Sequence, residues 1–157
     1  MDQRALLKTL PDLIRPSVPA KLRDFRSGAR WSYLMKLYYG NEAIHYEASH
    51  RAKAHLVEIG LHFESDELTN ARLLGAFRLH NGPIQRKLPT ARLEEWDRGW
   101  TRIWEPVTYE RFDAELRGRL AEALARYITV LEPILRAELP ADVAWVIAPP
   151  LRARART

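Results

Sequence analysis

The chain has 157 residues, of which 46% are hydrophobic, and a formal net charge of +5, as expected for a single folded domain. It contains no cysteine, which excludes disulfide bonds, thiolate catalysis and cysteine-ligated zinc. No apolar run approaches the roughly 20 residues that a membrane-spanning helix needs, and the N-terminal segment lacks the apolar core of a signal peptide. These features predict a cytoplasmic protein with no membrane partner.

The first 35 residues, 1–35, predict a basic helical extension. Residues 1–30 contain seven Lys or Arg against three Asp. The segment DQRALLKTLPDLI predicts a short helix that Pro11 interrupts, and RPSVP predicts a connector. We expect Arg23, Arg26 and Arg30 to contact an acidic partner, of which nucleic acid is the usual kind. The alternative is that these arginines only form a solvated surface.

Residues 36–139 predict a helical bundle. The helical segments, in chain order, are 20–39, 40–60, 65–80, 90–104 and 108–139. Ser65 and Thr90 precede acidic first turns and predict N-caps, and the last segment has an apolar stripe with Pro133 near its end. Strand-like alternation is found only in AWVIA, within a basic tail, 140–157. The predicted fold class is all-α, an up-and-down bundle of about five helices.

Three of the five histidines lie in the segment 40–60, at His45, His50 and His55. At about 100° per residue in a helix, a spacing of five turns each imidazole about 140° from the last. A two-histidine metal site on a helix needs a spacing of three or four, so no metal site is predicted. We expect His45 and His55 to be hydrogen-bonded at the edge of the core, with a cleft position for His50 or His55 as the alternative.

The segment 90–104 contains Trp96, Trp100 and Trp104 at steps of four, which places them on one side of a helix. Apolar neighbours on that side favour a core position over base stacking. Arg98 and Arg102 fall on the opposite side and are predicted to be exposed. They form either a solvated face or a basic nucleic-acid-binding surface.

The order of these segments resembles the HEPN-domain family of small helical bundles. The resemblance depends on Phe77 in LLGAFRLH, on Arg102 leading to Tyr109, on a long last helix, and on small and apolar residues of the segment 40–60, namely Tyr46, Ala48, Ala52, Ala54, Leu56 and Gly60. It implies a homodimer that binds RNA or a nucleotide, or a partner such as a nucleotidyltransferase in a toxin–antitoxin or defence pair. No cofactor and no metal are predicted.

The chain departs from the ribonuclease motif of that family, in which an Arg is followed by four to six residues and a His. No histidine follows His80, so the resemblance implies a non-catalytic protein. The alternative is a metal-independent ribonuclease that uses Arg102 with a histidine from elsewhere in the fold, His50, His55 or His80, or with Tyr109 in place of the histidine. A third hypothesis is a helical protein–protein interaction module with no small ligand.

Overall fold

The computed structural model describes residues 1–139, without the side chains of residues 29 and 30, and the predicted tail 140–157 lies outside the described residues. Residues 1–139 form a mixed α and β fold with a six-stranded antiparallel sheet. The prediction of an all-α bundle is therefore wrong, and so is the resemblance to the all-helical HEPN family. The physical reason is that residues 44–49 and 57–64 alternate between apolar and polar side chains, the period of a strand, and that the interval of four between the tryptophans of 90–104 fits a strand as well as a helix.

The elements follow in the order α1, β1–β4, α2, α3, β5, β6 and α4. Their bounds are α1 Gln3–Ile14, β1 Arg26–Trp31, β2 Leu34–Tyr38, β3 Ile44–Arg51, β4 Leu56–Phe63, α2 Glu67–Leu79, α3 Asn81–Lys87, β5 Arg92–Asp97, β6 Trp100–Thr108 and α4 Ala114–Glu138. The strand order across the sheet is β1-β2-β3-β4-β6-β5. Both α1 and β1 belong to the first 35 residues. The α1 helix packs on α4, and β1 pairs with β2.

One face of the sheet is covered by helices. Because side chains alternate along a strand, Tyr46 and Ala48 of β3 and Ile59 and Leu61 of β4 point to this covered face and are buried in the core. The α4 helix lies across them, and Tyr46 donates a hydrogen bond to Glu132 of that helix at 2.9 Å. Burial of these apolar side chains is the main stabilising term.

Three predicted helical segments are helices in the structure: DQRALLKTLPDLI is α1, 65–80 contains α2, and 108–139 contains α4. The predictions of helices at 20–39, 40–60 and 90–104 are wrong, because these segments form strands. Pro11 and Pro133 lie inside α1 and α4, and neither ends its helix. The N-cap of α2 is Asp66, whose carboxylate accepts from the Thr69 backbone N–H at 2.9 Å, and not Ser65. Thr90, the other predicted cap, precedes a strand. Among residues 1–139, no helix combines the length and apolar character needed to cross a membrane.

The other face of the sheet, called the open face here, is not covered by any helix of residues 1–139. The two outer hairpins, β1–β2 and β5–β6, line one groove together with residues of β3 and β4. Since these hairpins are at opposite edges of the sheet, the sheet must curl so that its open face is concave. The central strands form the floor of the groove, and the outer hairpins form its walls.

Candidate metal centre

Four potential ligands meet on the open face, in a group called the His/Glu cluster here. His45 and Glu47 are two residues apart on β3, and His62 and Glu64 are two apart at the end of β4. An interval of two places both members of each pair on one face of a strand. The antiparallel register sets His45 directly opposite His62. One ligand atom from each of the four residues can be chosen so that all lie within 4.8 Å of one another.

The orientation of His45 is fixed by a hydrogen bond to a backbone carbonyl. Its Nδ1 lies 2.8 Å from the carbonyl oxygen of Glu42. Because a carbonyl oxygen can only accept, Nδ1 carries the proton and donates it. The other nitrogen, Nε2, lies 2.8 Å from Glu47 Oε1. A backbone carbonyl that holds one ring nitrogen while the other faces a cluster is typical of a metal-ligating histidine.

His62 is buried without hydrogen bonds. Its side chain is 1% exposed, and its Nδ1 and Nε2 lie 3.3 Å and 3.6 Å from carboxylate oxygens of Glu64 and Glu47. Neither nitrogen makes a hydrogen bond of good geometry, although Nδ1 is close enough to Glu64 to lower the pKa of that carboxyl. Buried polar atoms are nearly always hydrogen-bonded, because leaving one without a partner costs roughly 1–3 kcal/mol. This side chain is therefore the strongest local indication that the cluster binds something.

The carboxylates of the cluster are held ionised. Burial alone would raise the pKa of Glu47, but the neighbouring imidazoles of His62 and His45 outweigh burial and hold that pKa at about 2. Burial also opposes ionisation of Glu64, and the same two histidines lower its pKa. An ionised carboxylate is the form that binds a metal ion. Two imidazoles with two carboxylates suit zinc, manganese, iron or cobalt in the divalent state.

The groove gives access to the cluster. It has a volume of about 300 Å³, and both Glu47 and Glu64 line it, whereas His45 and His62 lie beneath at 0% exposure. Ten residues form its lining: Trp31, Tyr33, Leu34, Lys36, Glu47, Ser49, Arg51, Glu64, Trp96 and Trp100. An ion in the cluster would therefore lie between buried imidazoles and the floor of the groove.

Arg102 lies beside the cluster and is not exposed, contrary to the sequence prediction. It is 7% exposed, and it is the register partner of His62. Its guanidinium donates to Glu58 and Glu94 at 3.1 and 3.0 Å. It also lies 4.4 Å and 4.0 Å from the ring centres of Trp96 and Trp104. The reason for the discrepancy is that residue 102 is on a strand, where its side chain shares the open face with these tryptophans.

The remaining catalytic candidates gather elsewhere. His50 Nε2 lies 2.5 Å from the Tyr109 hydroxyl, and its Nδ1 contacts Gln3. His55 is exposed, not at the core edge as predicted, and its ring lies 6.1 Å from that of Tyr109. His50 has the strand parity of Tyr46 and so points away from the open face. The structure thus brings His50, His55 and Tyr109 together and separates them from Arg102.

The predicted nucleic-acid-binding arginines are spread over the molecule. Arg23 donates to the backbone carbonyls of Val18 and Pro16, and Arg26 is exposed at the start of the edge strand β1. Arg98 is 76% exposed in the turn between β5 and β6, at the other edge. The side chain of Arg30 is outside the described residues. Binding of RNA or a nucleotide, a nucleotidyltransferase partner and a homodimer stay predictions.

The sequence analysis missed Glu47, His62 and Glu64. It predicted no metal site because it treated the segment 40–60 as a helix, whereas this segment forms strands. A signal for them was present. In IHYEASHR polar and apolar side chains alternate over residues 44–49, and in LVEIGLHFE, residues 56–64, they alternate from Val57 onward. Each segment contains a histidine followed two residues later by a glutamate. Comparison of the chain with protein-family models, curated proteins and solved structures finds no match.

Proposed function

We propose that the protein binds a divalent transition-metal ion through His45, Glu47, His62 and Glu64 and presents it to the groove on the open face of the sheet. The observation that carries the proposal is His62, a buried imidazole whose two nitrogens face carboxylates without a hydrogen bond. A cation among these four groups would give that imidazole a partner and offset the charge of the buried Glu47 and the half-buried Glu64.

The chemistry available at such a centre is that of a Lewis acid. A divalent ion polarises a carbonyl or phosphoryl oxygen and lowers the pKa of bound water. The chain's own residues would hold the ion by the two imidazoles from below and leave the groove side for a ligand. The proposed function is therefore metal-dependent binding of a small ligand in the groove, with the polarising ion at its floor.

The competing interpretation is a structural network in which Glu47 is shared by the imidazole rings of His45 and His62. Its weakness is the geometry of His62, because a buried ring in a structural network should make at least one good hydrogen bond. The two interpretations differ in what they predict for a metal-free sample. A structural network gains nothing from added metal, whereas a metal centre is stabilised by mass action.

The test is metal titration of protein stripped with a chelator. We expect binding of one equivalent of Zn²⁺, Mn²⁺ or Co²⁺ by calorimetry, a matching rise in melting temperature and retention of the metal after desalting. His62→Ala should weaken binding by at least about 100-fold. His80→Ala is the matched control, since His80 also lies 3.1 Å from a glutamate but is 38% exposed on the surface. Absence of any metal-dependent stabilisation in the parent protein would refute the proposal.

A second candidate function, binding of RNA or a nucleotide, is supported by Arg98. Its guanidinium lies 5.8 Å from the ring centre of Trp100, a residue of the groove lining. An exposed arginine beside a tryptophan is a common arrangement for contacts with phosphates and bases. The test is a gel-shift titration of labelled RNA at low and high salt, where a salt-sensitive shift is expected.

A further inference from the structure

The walls of the groove are aromatic on both sides. The Trp31 and Tyr33 rings, in the β1–β2 hairpin, are stacked with their centres 6.4 Å apart and planes within 9° of parallel. They are 54% and 43% exposed, unusually open for large hydrophobic side chains. Trp96 and Trp100, in the β5–β6 hairpin, line the same groove with ring centres 5.9 Å apart. Exposed rings in a concave site favour a flat ligand that can stack on them.

The charges of the groove favour an anion once the metal is bound. Arg51 and Arg102 are both paired with Glu58, at 3.2 and 3.1 Å, and Arg102 also with Glu94, so these charges balance. A divalent ion would offset Glu47 and Glu64. Lys36 then remains as a surplus cation in the lining, since no carboxylate of the described residues lies within salt-bridge distance of it. A negative group would meet both this ammonium and the ion.

We infer that the groove takes a small ligand made of a flat aromatic ring with a carboxylate or phosphate, whose oxygen reaches the metal while the ring stacks on the Trp31 wall. The inference rests on the proposed metal function and names its ligand class. The volume of about 300 Å³ is at the lower end for small-molecule sites, which suits one ring system and one anionic group. A polymer could present only one such unit at a time.

The experiment uses the full chain loaded with Co²⁺, whose visible absorption reports directly on ligands of the metal. The probes are benzoate and phenyl phosphate, with cyclohexanecarboxylate as the non-aromatic match and benzyl alcohol as the uncharged match. We expect benzoate or phenyl phosphate to change the cobalt spectrum and to bind at least about 3-fold more tightly than cyclohexanecarboxylate. The uncharged probe should leave the spectrum unchanged. Which of the two anions binds better distinguishes a carboxylate from a phosphate ligand.

Two variants locate the binding. Trp31→Ala should weaken binding of the aromatic anion about 5-fold or more and leave cobalt affinity unchanged, because Trp31 is not in the His/Glu cluster. Lys36→Gln should weaken binding of the anions only. Leu79→Ala, at an 86% exposed apolar residue on α2, is the control and should change neither.

The outcomes separate this inference from the function on which it rests. If cobalt binds but benzoate and cyclohexanecarboxylate bind equally, or Trp31→Ala has no effect, the ligand class is wrong and the metal function stands. If the aromatic anions bind metal-free protein as tightly as the cobalt form, the metal does not direct them and the inference is overturned. If cobalt does not bind at all, the proposed function and this inference both fail.

Discussion

The two faces of the sheet hold buried glutamates whose pKa values shift in opposite directions. On the covered face, Glu132 accepts hydrogen bonds from Tyr46 and Arg136, each at 2.9 Å, and yet burial raises its pKa above the ordinary value. On the open face, burial acts on Glu47 in the same direction, but His62 and His45 reverse its effect and set the pKa at about 2. Burial is common to both carboxylates, so the neighbouring groups decide the direction in which each pKa shifts.

The faces also differ in how completely their polar atoms are paired. On the covered face, Tyr127 donates to Glu105 at 2.9 Å, as Tyr46 does to Glu132. The side-chain atoms that are buried without a partner, among the described residues, belong to His62 and Trp96, which both lie on the open face. Complete pairing is what a structural interior needs. Incomplete pairing around two ionised carboxylates indicates a site that is completed by a ligand.

The largest expected effect contrasts two neighbours on β4. Leu61→Ala removes a fully buried side chain from the covered face and should lower the free energy of unfolding by about 2–5 kcal/mol. His62→Ala, one residue later on the open face, should cost metal-free protein less, about 1–2 kcal/mol, because the loss of its attraction to Glu47 is partly offset by the removal of a buried ring without well-formed hydrogen bonds. Urea unfolding of both variants measures the contrast. Equal losses would mean that His62 is a structural residue and would count against the metal proposal.

The next effect concerns the close approach of β4 and β6 below the groove. A Cβ added at Gly60 would lie 2.3 Å from the Ile103 carbonyl oxygen and 2.7 Å from the Trp104 Cα. Since backbone atoms cannot move aside cheaply, Gly60→Ala should destabilise the protein by about 1–3 kcal/mol. The control is Gly75→Ala in α2, where an added Cβ meets nothing within 4 Å. This substitution should stabilise the protein by about 0.5–1 kcal/mol. A neutral Gly60→Ala in thermal or urea unfolding would show that the strands can separate there.

Three α-helices, α1, α2 and α4, could be predicted from the sequence, whereas α3 (Asn81–Lys87) and most of the sheet could not. The α4 helix repeats apolar residues at intervals of three and four over many turns, and only a helix places such residues on one side. Trp96, Trp100 and Trp104 are four apart, an interval that a helix and a strand both tolerate because four is even. In the structure Trp100 and Trp104 share one face of β6, and Trp96 is across the hairpin on β5.

Part of the candidate site could be predicted from the sequence. Alternation along residues 44–51 could have placed His45 and Glu47 on one strand face, and the same pattern could have placed His62 with Glu64. Their meeting depends on the pairing of β3 with β4 in the register that sets His45 opposite His62. A shift by one residue would turn one pair to the other face. Nothing in either segment alone specifies that register, so the four-residue cluster needs the fold.

A smaller effect is expected in the pH dependence of stability, which tests whether the pKa of Glu132 is raised on folding. The groups facing Glu132 are Tyr39, Tyr46, Arg136 and Asp24. Because its pKa is raised on folding, Glu132 contributes stability below its unfolded pKa, near 4.5, and this contribution is lost as pH rises through the higher folded value. The stability difference between Glu132→Gln and the parent protein should therefore shift in favour of the variant from pH 4 upward.

Urea unfolding of both proteins across that pH range measures the difference, and contributions common to both cancel. Glu122→Gln, on the exposed side of the same helix with a 74% exposed side chain, is the control. A stability difference for Glu132→Gln that does not change with pH would mean that the carboxylate does not titrate differently in the folded state. The contrast between the two faces would then depend on Glu47 alone.

The smallest expected effect concerns Arg98, in the turn at the edge of the open face, and tests whether this edge contacts nucleic acid. Arg98 is 76% exposed and, as one phosphate contact among several, should contribute little alone. Arg98→Gln should weaken RNA binding a few-fold at low salt and reduce the slope of log affinity against log salt by about one. Arg126→Gln, at a 54% exposed arginine of α4 on the covered side, is the matched control. If both variants lose RNA affinity equally, the affinity depends on the net charge of the protein and not on a contact at the open face. A contact at the open face would require Arg98, which lies beside Trp100, and not Arg126.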